Sequence, residues 1–398
     1  MEIQSINAKA VKDSRREKTI QIIVKTSLGS FMTSAPAGKS KGEYEAKSYA
    51  RSLEGDISVV NNLDINEINK LNLRKFEDLI KIEKLIDNEI GANSLFAFEA
   101  SLLKAVAKEN NEESWKFILG DKKIKFPRPV GNAIGGGLHS KGIRGKKPDF
   151  QEFLFISDAD SFSKCVEINE QAYALAGKYL KGIFKRKNDE GAFETNLSNE
   201  EVLDIMKKVQ EELRKKKIKV DLGIDAAASS FYKNRYYEYK NLHKELDRNA
   251  QIKYIDKLVK KYNLFYVEDA LEENDFDGFA ELMFEVRKGK NNCLVGGDDL
   301  TVTNPVRLEK AIRLHSINAI IIKPNQIGSL LKVKKVIEMA RKAGIKIIIS
   351  HRSGETLDNT IADLCIGFQC DFIKTGIYGT ERRAKLNRVR EIERKVKR

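Results

Sequence analysis

Residues 318–326 read Asn-Ala-Ile-Ile-Ile-Lys-Pro-Asn-Gln (NAIIIKPNQ). The run Ala319–Ile322 is continuously apolar, the mark of a strand buried on both faces. It stops at Lys323. A lysine at the tip of such a strand is expected at the mouth of a site rather than on the general surface, which makes Lys323 the first candidate for chemistry.

The pattern repeats outward from there. Strand-like runs are expected over Phe150–Ile156, Ile218–Ile224, Leu264–Val267, Asn292–Val295, Ile345–Ile349 and Asp371–Ile373, with amphipathic helices between them. Ser198-Asn199-Glu200-Glu201 forms a capping box for a helix to about Lys216. Ser329 caps a second helix that runs through Ala343 and stops at Gly344. The tips Glu268, Asp298, Lys323, His351 and Lys374 follow one another at 23 to 30 residues, the period of a β/α unit. Several such units in a row require a parallel sheet, either closed or doubly wound. Glu152, Asp225, Glu268, Asp298, Lys323, His351 and Lys374 are all read as strand tips. In a closed barrel the strand ends converge on one mouth, whereas an open sheet strings them along an edge. Seven ionisable groups on separate strands favour closure.

Residues 1–126 read differently. Lys18–Lys25 is strand-like, Ser27–Ser30 is a turn and Phe31–Ala35 begins another strand; helical spacing then runs through Phe76–Ile86 and Ala92–Lys108. Strands followed by helices indicate an α+β domain. Phe126–Pro129 (FPRP) reads as a linker, leaving residues 130–398 for the β/α barrel that carries the site.

Composition limits the function classes. The chain has 398 residues, is 41% hydrophobic and carries a formal charge of +14. No stretch is apolar enough to span a bilayer, and the first residues lack the core of a secretory signal. The four cysteines form no CxxC pair and are expected as reduced thiols in the cytoplasm. The lysines are spread over the whole chain. Its densest basic runs, Arg214–Lys219 and Arg382–Arg398, read as solvated helix faces, and no nucleic-acid module supports the alternative.

The tip residues define a chemistry. Asp225, Glu268 and Asp298 come from successive strands, and three buried carboxylates cannot all stay ionised without compensation. A hard divalent cation, Mg²⁺ with Mn²⁺ as substitute, resolves the conflict. Beside such a dication, Lys323 and Lys374 are expected to have lowered pKa values, in the range of a general base. A lysine base opposite a metal-bound carboxylate suits proton abstraction α to that carboxylate, a pattern known from enolase-superfamily sites. Glu190, in Asn188-Asp189-Glu190-Gly191, is placed to protonate a leaving hydroxyl, although a surface loop residue is the plainer reading. His351-Arg352-Ser353-Gly354 reads as an anion site. His139 follows Gly135-Gly136-Gly137, read as a loop flexible enough to close over a ligand. His243 and His315 read as ordinary surface or packing residues. Ala37-Gly38-Lys39-Ser40 fails as a P-loop, because Thr33 stands where the first glycine should be, and reads as a mobile lid carrying Ser40.

These residues fall in long motifs: Lys12-Asp13-Ser14-Arg15, Gly38-x-Ser40-x-Gly42-x-x-Glu45-Ala46, Gly91-Ala92-Asn93, Gln151-Glu152-Phe153, Asp189-Glu190-Gly191, Val267-Glu268-Asp269, Gly297-Asp298-Asp299, Lys323-Pro324-Asn325-Gln326-Ile327-Gly328, Ser350–Thr356 and Ile373-Lys374-Thr375-Gly376. Through them the chain resembles enolase, phosphopyruvate hydratase, along nearly its whole length. The resemblance implies a modified eight-stranded β/α barrel with a smaller N-terminal α+β domain. It implies reversible dehydration of 2-phospho-D-glycerate to phosphoenolpyruvate with two Mg²⁺ per site. It implies Lys323 as base, Glu190 as acid with Glu152 beside it, and His139 and His351 as the two active-site histidines. Asp225, Glu268 and Asp298 are the implied ligands of the first metal, and Ser40 a ligand of the second. Gln151, Arg352, Ser353 and Lys374 are implied to bind the phosphorylated hydroxy acid, and a homo-oligomer, a dimer or ring of dimers, is implied. The chain departs from the family at Arg16-Glu17-Lys18, Ala37, Lys39, Lys41, Gly135, Ala192, Ala270 and Ile377-Tyr378-Gly379. The changed lid motivates one rival reading, a paralogue acting on another phosphorylated hydroxy acid; the basic helices motivate a second, a non-catalytic binding protein on the same fold, for nucleic acid.

Overall fold

The computed structural model describes residues 2–38, 42–140, 145–241, 243–289 and 292–397. Lys39, Ser40 and Lys41 lie outside the described residues, so the reading of Ser40 as a lid residue and metal ligand has no structural counterpart here.

The chain opens with an antiparallel meander, β1 (Ile3–Lys12), β2 (Lys18–Thr26) and β3 (Gly29–Ser34). Ile20, Ile22 and Val24 alternate along β2 and are fully buried, because a period of two puts them on one face. That face packs on the helix Ala92–Glu109, where Ser101 donates its hydroxyl to the carbonyl of Ile22 at 3.0 Å.

The strands that follow are β4 (Arg128–Gly135), β5 (Glu152–Ser157), a short hairpin β6 (Arg186–Lys187) and β7 (Phe193–Glu194), and β8 (Val220–Asp225). Three short strands, β9 (Tyr232–Lys233), β10 (Tyr236–Tyr239) and β11 (Lys244–Leu246), make a separate small sheet. Then come β12 (Tyr266–Glu268), β13 (Leu294–Gly297), β14 (Ala319–Ile322), β15 (Lys346–Ser350) and β16 (Phe372–Lys374). Eight of these close a barrel in the order β16-β15-β14-β13-β12-β8-β5-β4, with β16 pairing back onto β4. The interior is packed by side chains that include Ile156, Tyr266, Ile321 and Phe372. The capping-box helix runs Asn199–Lys215, and the helix capped by Ser329 runs Leu330–Lys342.

Three expectations need correction. Glu152 is not at the end of its strand but at its start: β5 runs antiparallel to both β4 and β8, so its first residue reaches the mouth reached by the last residues of its neighbours. Glu152 therefore still stands opposite Asp225. The linker read at Phe126–Pro129 is already strand from Arg128, whose backbone N–H donates to Asp371 at 2.9 Å. The basic C-terminal helix, Thr380–Val396, is not wholly a solvated face. It buries Arg382, which donates to the carbonyl of Ser353 at 2.8 Å, and Lys385, which pairs with Glu355 at 2.7 Å.

Candidate active site

The N-terminal unit docks onto the stretch that follows β14. Asn325 donates its amide to Asn93 at 2.9 Å and to the carbonyl of Pro36 at 3.1 Å. The N–H of Ala46 donates to Gln326 at 2.9 Å. Gly328, at φ 81°, lies so close to the Ala92 backbone that a Cβ would sit 2.8 Å from its Cα, so this approach needs glycine. Ala37 and Gly354 exchange backbone hydrogen bonds at 2.8 and 2.9 Å, which ties Ala37 to the residue that follows Ser353.

A polar cavity of about 30 Å³ opens at the barrel mouth. Gly38, His139, Gln151, Glu152, Glu190, Asp225, Lys323, Ser350, His351, Arg352, Ser353 and Lys374 line it. This brings together the expected residues except Ser40, with Glu268 and Asp298 immediately beneath. Its small volume has a cause: the lysines are folded onto the carboxylates. Lys374 donates to Asp225 at 3.0 Å and to both Glu268 oxygens at 2.8 Å, and lies 3.1 Å from Glu152. Lys323 donates to Asp298. Asp298 also accepts from Gln326 at 3.2 Å, and Gln326 in turn accepts from Thr303 at 2.7 Å.

Burial in so acidic a pocket sets the protonation tendencies. It pushes the carboxyls of Glu152 and Asp225 up, and that of Glu268 well up, with neighbouring carboxylates adding to the effect. Asp298 goes the other way, because Lys323 outweighs its burial. Without a dication Lys323 has a raised pKa: burial pulls it down, but the charge of Asp298 and its hydrogen bond together outweigh that. Lys374 is held well above the usual lysine range, its burial outweighed by Asp225, Glu152 and Glu268. Burial together with Arg382, Lys374 and Lys323 keeps His351 neutral.

The donor set fits a divalent cation. Asp225, Glu268 and Asp298 are buried oxygen donors with more negative charge than the two lysines neutralise, and no thiol is among them. Two carboxylate-rich groups have ligand atoms within 4.8 Å of one another, Asp269–Asp298–Asp299 and His139–Glu152–Glu190. The first contains one expected ligand and two acids given no role from sequence.

Glu190 lines the same cavity as Lys323. Its carboxylate accepts from Asn132 at 3.1 Å, lies 3.8 Å from His139 Nδ1 and 4.0 Å from His351 Nε2. It is buried, not a surface loop residue. Asn188 holds its turn, accepting from the N–H groups of Glu190 and Ala192 at 3.0 Å each. The departure at position 135 explains itself here: a Cβ on Gly135 would lie 2.4 Å from the amide nitrogen of Asn188. Tyr378, another departure, stacks on Tyr173, whose hydroxyl donates to Gly191 at 2.6 Å, and Lys187 lies 3.3 Å above the Tyr378 ring. The glycines before His139 are closely packed. A Cβ on Gly136 would meet the carbonyl of Phe150 at 2.3 Å, and His139 is buried in a short 3₁₀ turn.

Arg352 makes a forked pair with Glu45 at 3.0 Å, and Arg15 donates to Ser353 at 3.1 Å. Asn132, Glu45, Asn188, Asp269 and Asp299 were given no role from sequence. Glu45 could have been found, since it stands in the Gly38–Ala46 motif. Asn132 was hidden by a strand that reads as loop. His243 and His315 are exposed, as expected.

Comparison with known proteins places this geometry. Residues 123–398 match the family model described as enolase, C-terminal TIM barrel domain. The chain is 35% identical to an enolase of Thermoplasma acidophilum over 98% of both chains. It is 34% identical to one of Picrophilus torridus over 99% of both, and 37% identical to one of Methanocorpusculum labreanum over 98% of this chain and 99% of the other. No described helix is long and apolar enough to cross a membrane. On its barrel, its site and these full-length similarities, the chain belongs to the enolase family.

Proposed function

We propose that this chain is a phosphopyruvate hydratase, converting 2-phospho-D-glycerate reversibly to phosphoenolpyruvate and water. The observation that carries the reading is that a candidate base, Lys323, and a candidate acid, Glu190, line one cavity beside buried carboxylates and an Arg–Ser pair.

Lys323 takes the proton from C2 of the substrate. To act as a base it must first give up Asp298, the partner that holds its proton. Asp225, Glu268 and Asp298 would hold Mg²⁺, and Ser40 would be a ligand of a second ion. The dication supplies positive charge against the negative charge that builds on the substrate carboxylate. Glu190, oriented by Asn132 and its own turn, gives a proton to the C3 hydroxyl, which leaves as water as the C2–C3 double bond forms. Glu152 lies 3.7 Å from His139 and completes the polar wall on that side. Arg352, Ser353 and His351 receive the phosphate, and Gln151 and Lys374 orient the carboxylate end. The residues 1–126 are read as a domain that caps the barrel of 130–398. Cytoplasmic location and assembly as a dimer or ring of dimers complete the proposal.

Folded protein given Mg²⁺ and 2-phosphoglycerate should show the rising ultraviolet absorbance of the conjugated enol ester. Absence of product at every Mg²⁺ concentration would refute the assignment.

A further inference from the structure

A second cavity lies at the opposite end of the barrel, beside the residues that enter β15 and β16 rather than those that leave them. Its volume is about 850 Å³, within the range of sites for small organic ligands, about 300–1,000 Å³. The packed barrel interior, with Ile348 and Phe372, separates it from the catalytic mouth.

Its lining has two distinct parts. Phe76, Phe117, Phe126 and Phe368 give it an aromatic lining, with Phe76 and Phe368 packed edge to face at 5.7 Å. Lys75, Lys122, Lys123 and Lys125 contribute exposed cations. Among the described residues, none of these four ammonium groups forms an ion pair. The acids of the lining are already engaged: Glu77 with Lys334 at 2.6 Å, Glu338 with the same lysine at 4.0 Å, and Asp371 with Lys346 at 3.0 Å. The cleft thus keeps a surplus of positive charge around flat apolar surface. Lys122, Lys123 and Lys125 belong to the segment joining the helix Ser114–Leu119 to β4, and Gln369 accepts from the N–H of Lys125 at 2.8 Å, which ties that segment to the barrel.

We propose that this cleft binds a small anion with a planar ring, the chemistry of a nucleoside diphosphate, its ring against the half-buried Phe117 and Phe126, which are backed by the buried Phe76–Phe368 pair, and its phosphates on the lysine rim. Ring surface in the lining and unpaired charge at the edge match a molecule divided in the same way. Phosphate alone satisfies the rim and leaves the half-buried Phe117 and Phe126 uncovered.

Calorimetry with ADP on the full chain, in a chelator that removes divalent cations, tests this. One ADP per chain should bind in a saturable way. Inorganic pyrophosphate should bind at least about tenfold more weakly, a difference of about 1.4 kcal/mol. The double variant Lys122→Glu/Lys125→Glu should lose about tenfold or more in ADP affinity while keeping wild-type phosphoenolpyruvate formation. Added 2-phosphoglycerate should not displace ADP. The proposal is overturned by absence of ADP binding to millimolar concentration, by equal binding to the variant, or by displacement with 2-phosphoglycerate. Pyrophosphate binding as tightly as ADP would leave an unspecific anion rim only. Binding of an oligoglutamate peptide in place of ADP would make the cleft a protein-docking surface and equally contradict it.

Discussion

Lys374 donates to both carboxylate oxygens of Glu268, at 2.8 Å each, from the strand end directly opposite in the eight-strand ring. The same ammonium reaches Asp225 at 3.0 Å, so one lysine compensates two buried acids where a cation is expected. Removing one partner of a buried ion pair costs about 3–5 kcal/mol, because the remaining charge stays buried. Lys374→Met should therefore lower stability by about that amount in chelator, read by urea unfolding. Mg²⁺ should narrow the gap, since it can take over the neutralising role. An equal loss with and without Mg²⁺ would mean that these carboxylates do not hold the ion.

The pH dependence of the metal-free protein follows from acids with raised pKa values. Burial, with the charge of Asp298 beside it, pushes Asp299 up to about 7. Asp269 and Glu268 are shifted in the same direction. Between the unfolded value near 4 and these folded values the native state binds more protons than the unfolded one, so stability falls as pH rises. Unfolding midpoints in chelator should decline from pH 5 to pH 7, and Mg²⁺ should flatten the decline. Depressed Asp298 works in the opposite sense and loses its contribution only as pH falls through its low folded value, and His351, held well below the usual histidine range by burial, also opposes the decline between pH 5 and 7, one group against the raised acids Glu152, Asp225, Glu268, Asp269 and Asp299. A rise in stability over pH 5 to 7 in chelator would contradict the surplus of buried negative charge.

Gly135 and Asn188 should behave as one unit. A methyl at position 135 collides with the Asn188 amide, which fastens the backbone of Glu190 and Ala192. Gly135→Ala should lower kcat by about tenfold or more with little change in KM, since misplacing an acid by about an ångström weakens the chemical step more than binding. Adding Asn188→Gly makes room for the methyl but gives up the hydrogen bonds, so recovery should be partial. Steady-state kinetics on the single and double variants check this. Unchanged kcat in Gly135→Ala would show that the turn does not depend on Asn188.

Much of this architecture was legible because apolar runs such as Ala319–Ile322 end in single polar residues at β/α spacing. Strand direction leaves no such mark, so Glu152 was read at the wrong end of β5, although it still stands opposite Asp225. Strand β4 was missed because its ends, in Phe126–Pro129 and at Gly135, read as linker and loop. Gly131 is there for another reason: a Cβ would lie 2.3 Å from Ile377. Arg382 and Lys385 sit in a helix whose charge pattern reads as solvated. Their partners are carbonyls and an acid in residues 353–358, which helical spacing cannot reveal. The direction of the Lys323 shift depends on whether Asp298 faces it alone or shares a cation, a matter of contact rather than of sequence.

The central claim, that Lys323 removes the C2 proton and Glu190 assists departure of the C3 hydroxyl, is tested most directly by hydrogen exchange at C2 of 2-phosphoglycerate in heavy water with Mg²⁺, followed by proton NMR. Wild-type protein and Glu190→Gln should both incorporate deuterium at C2, the latter with little phosphoenolpyruvate formed, while Lys323→Ala should show neither exchange nor product. Deuterium entering C2 at the wild-type rate in Lys323→Ala would contradict the assignment of the base.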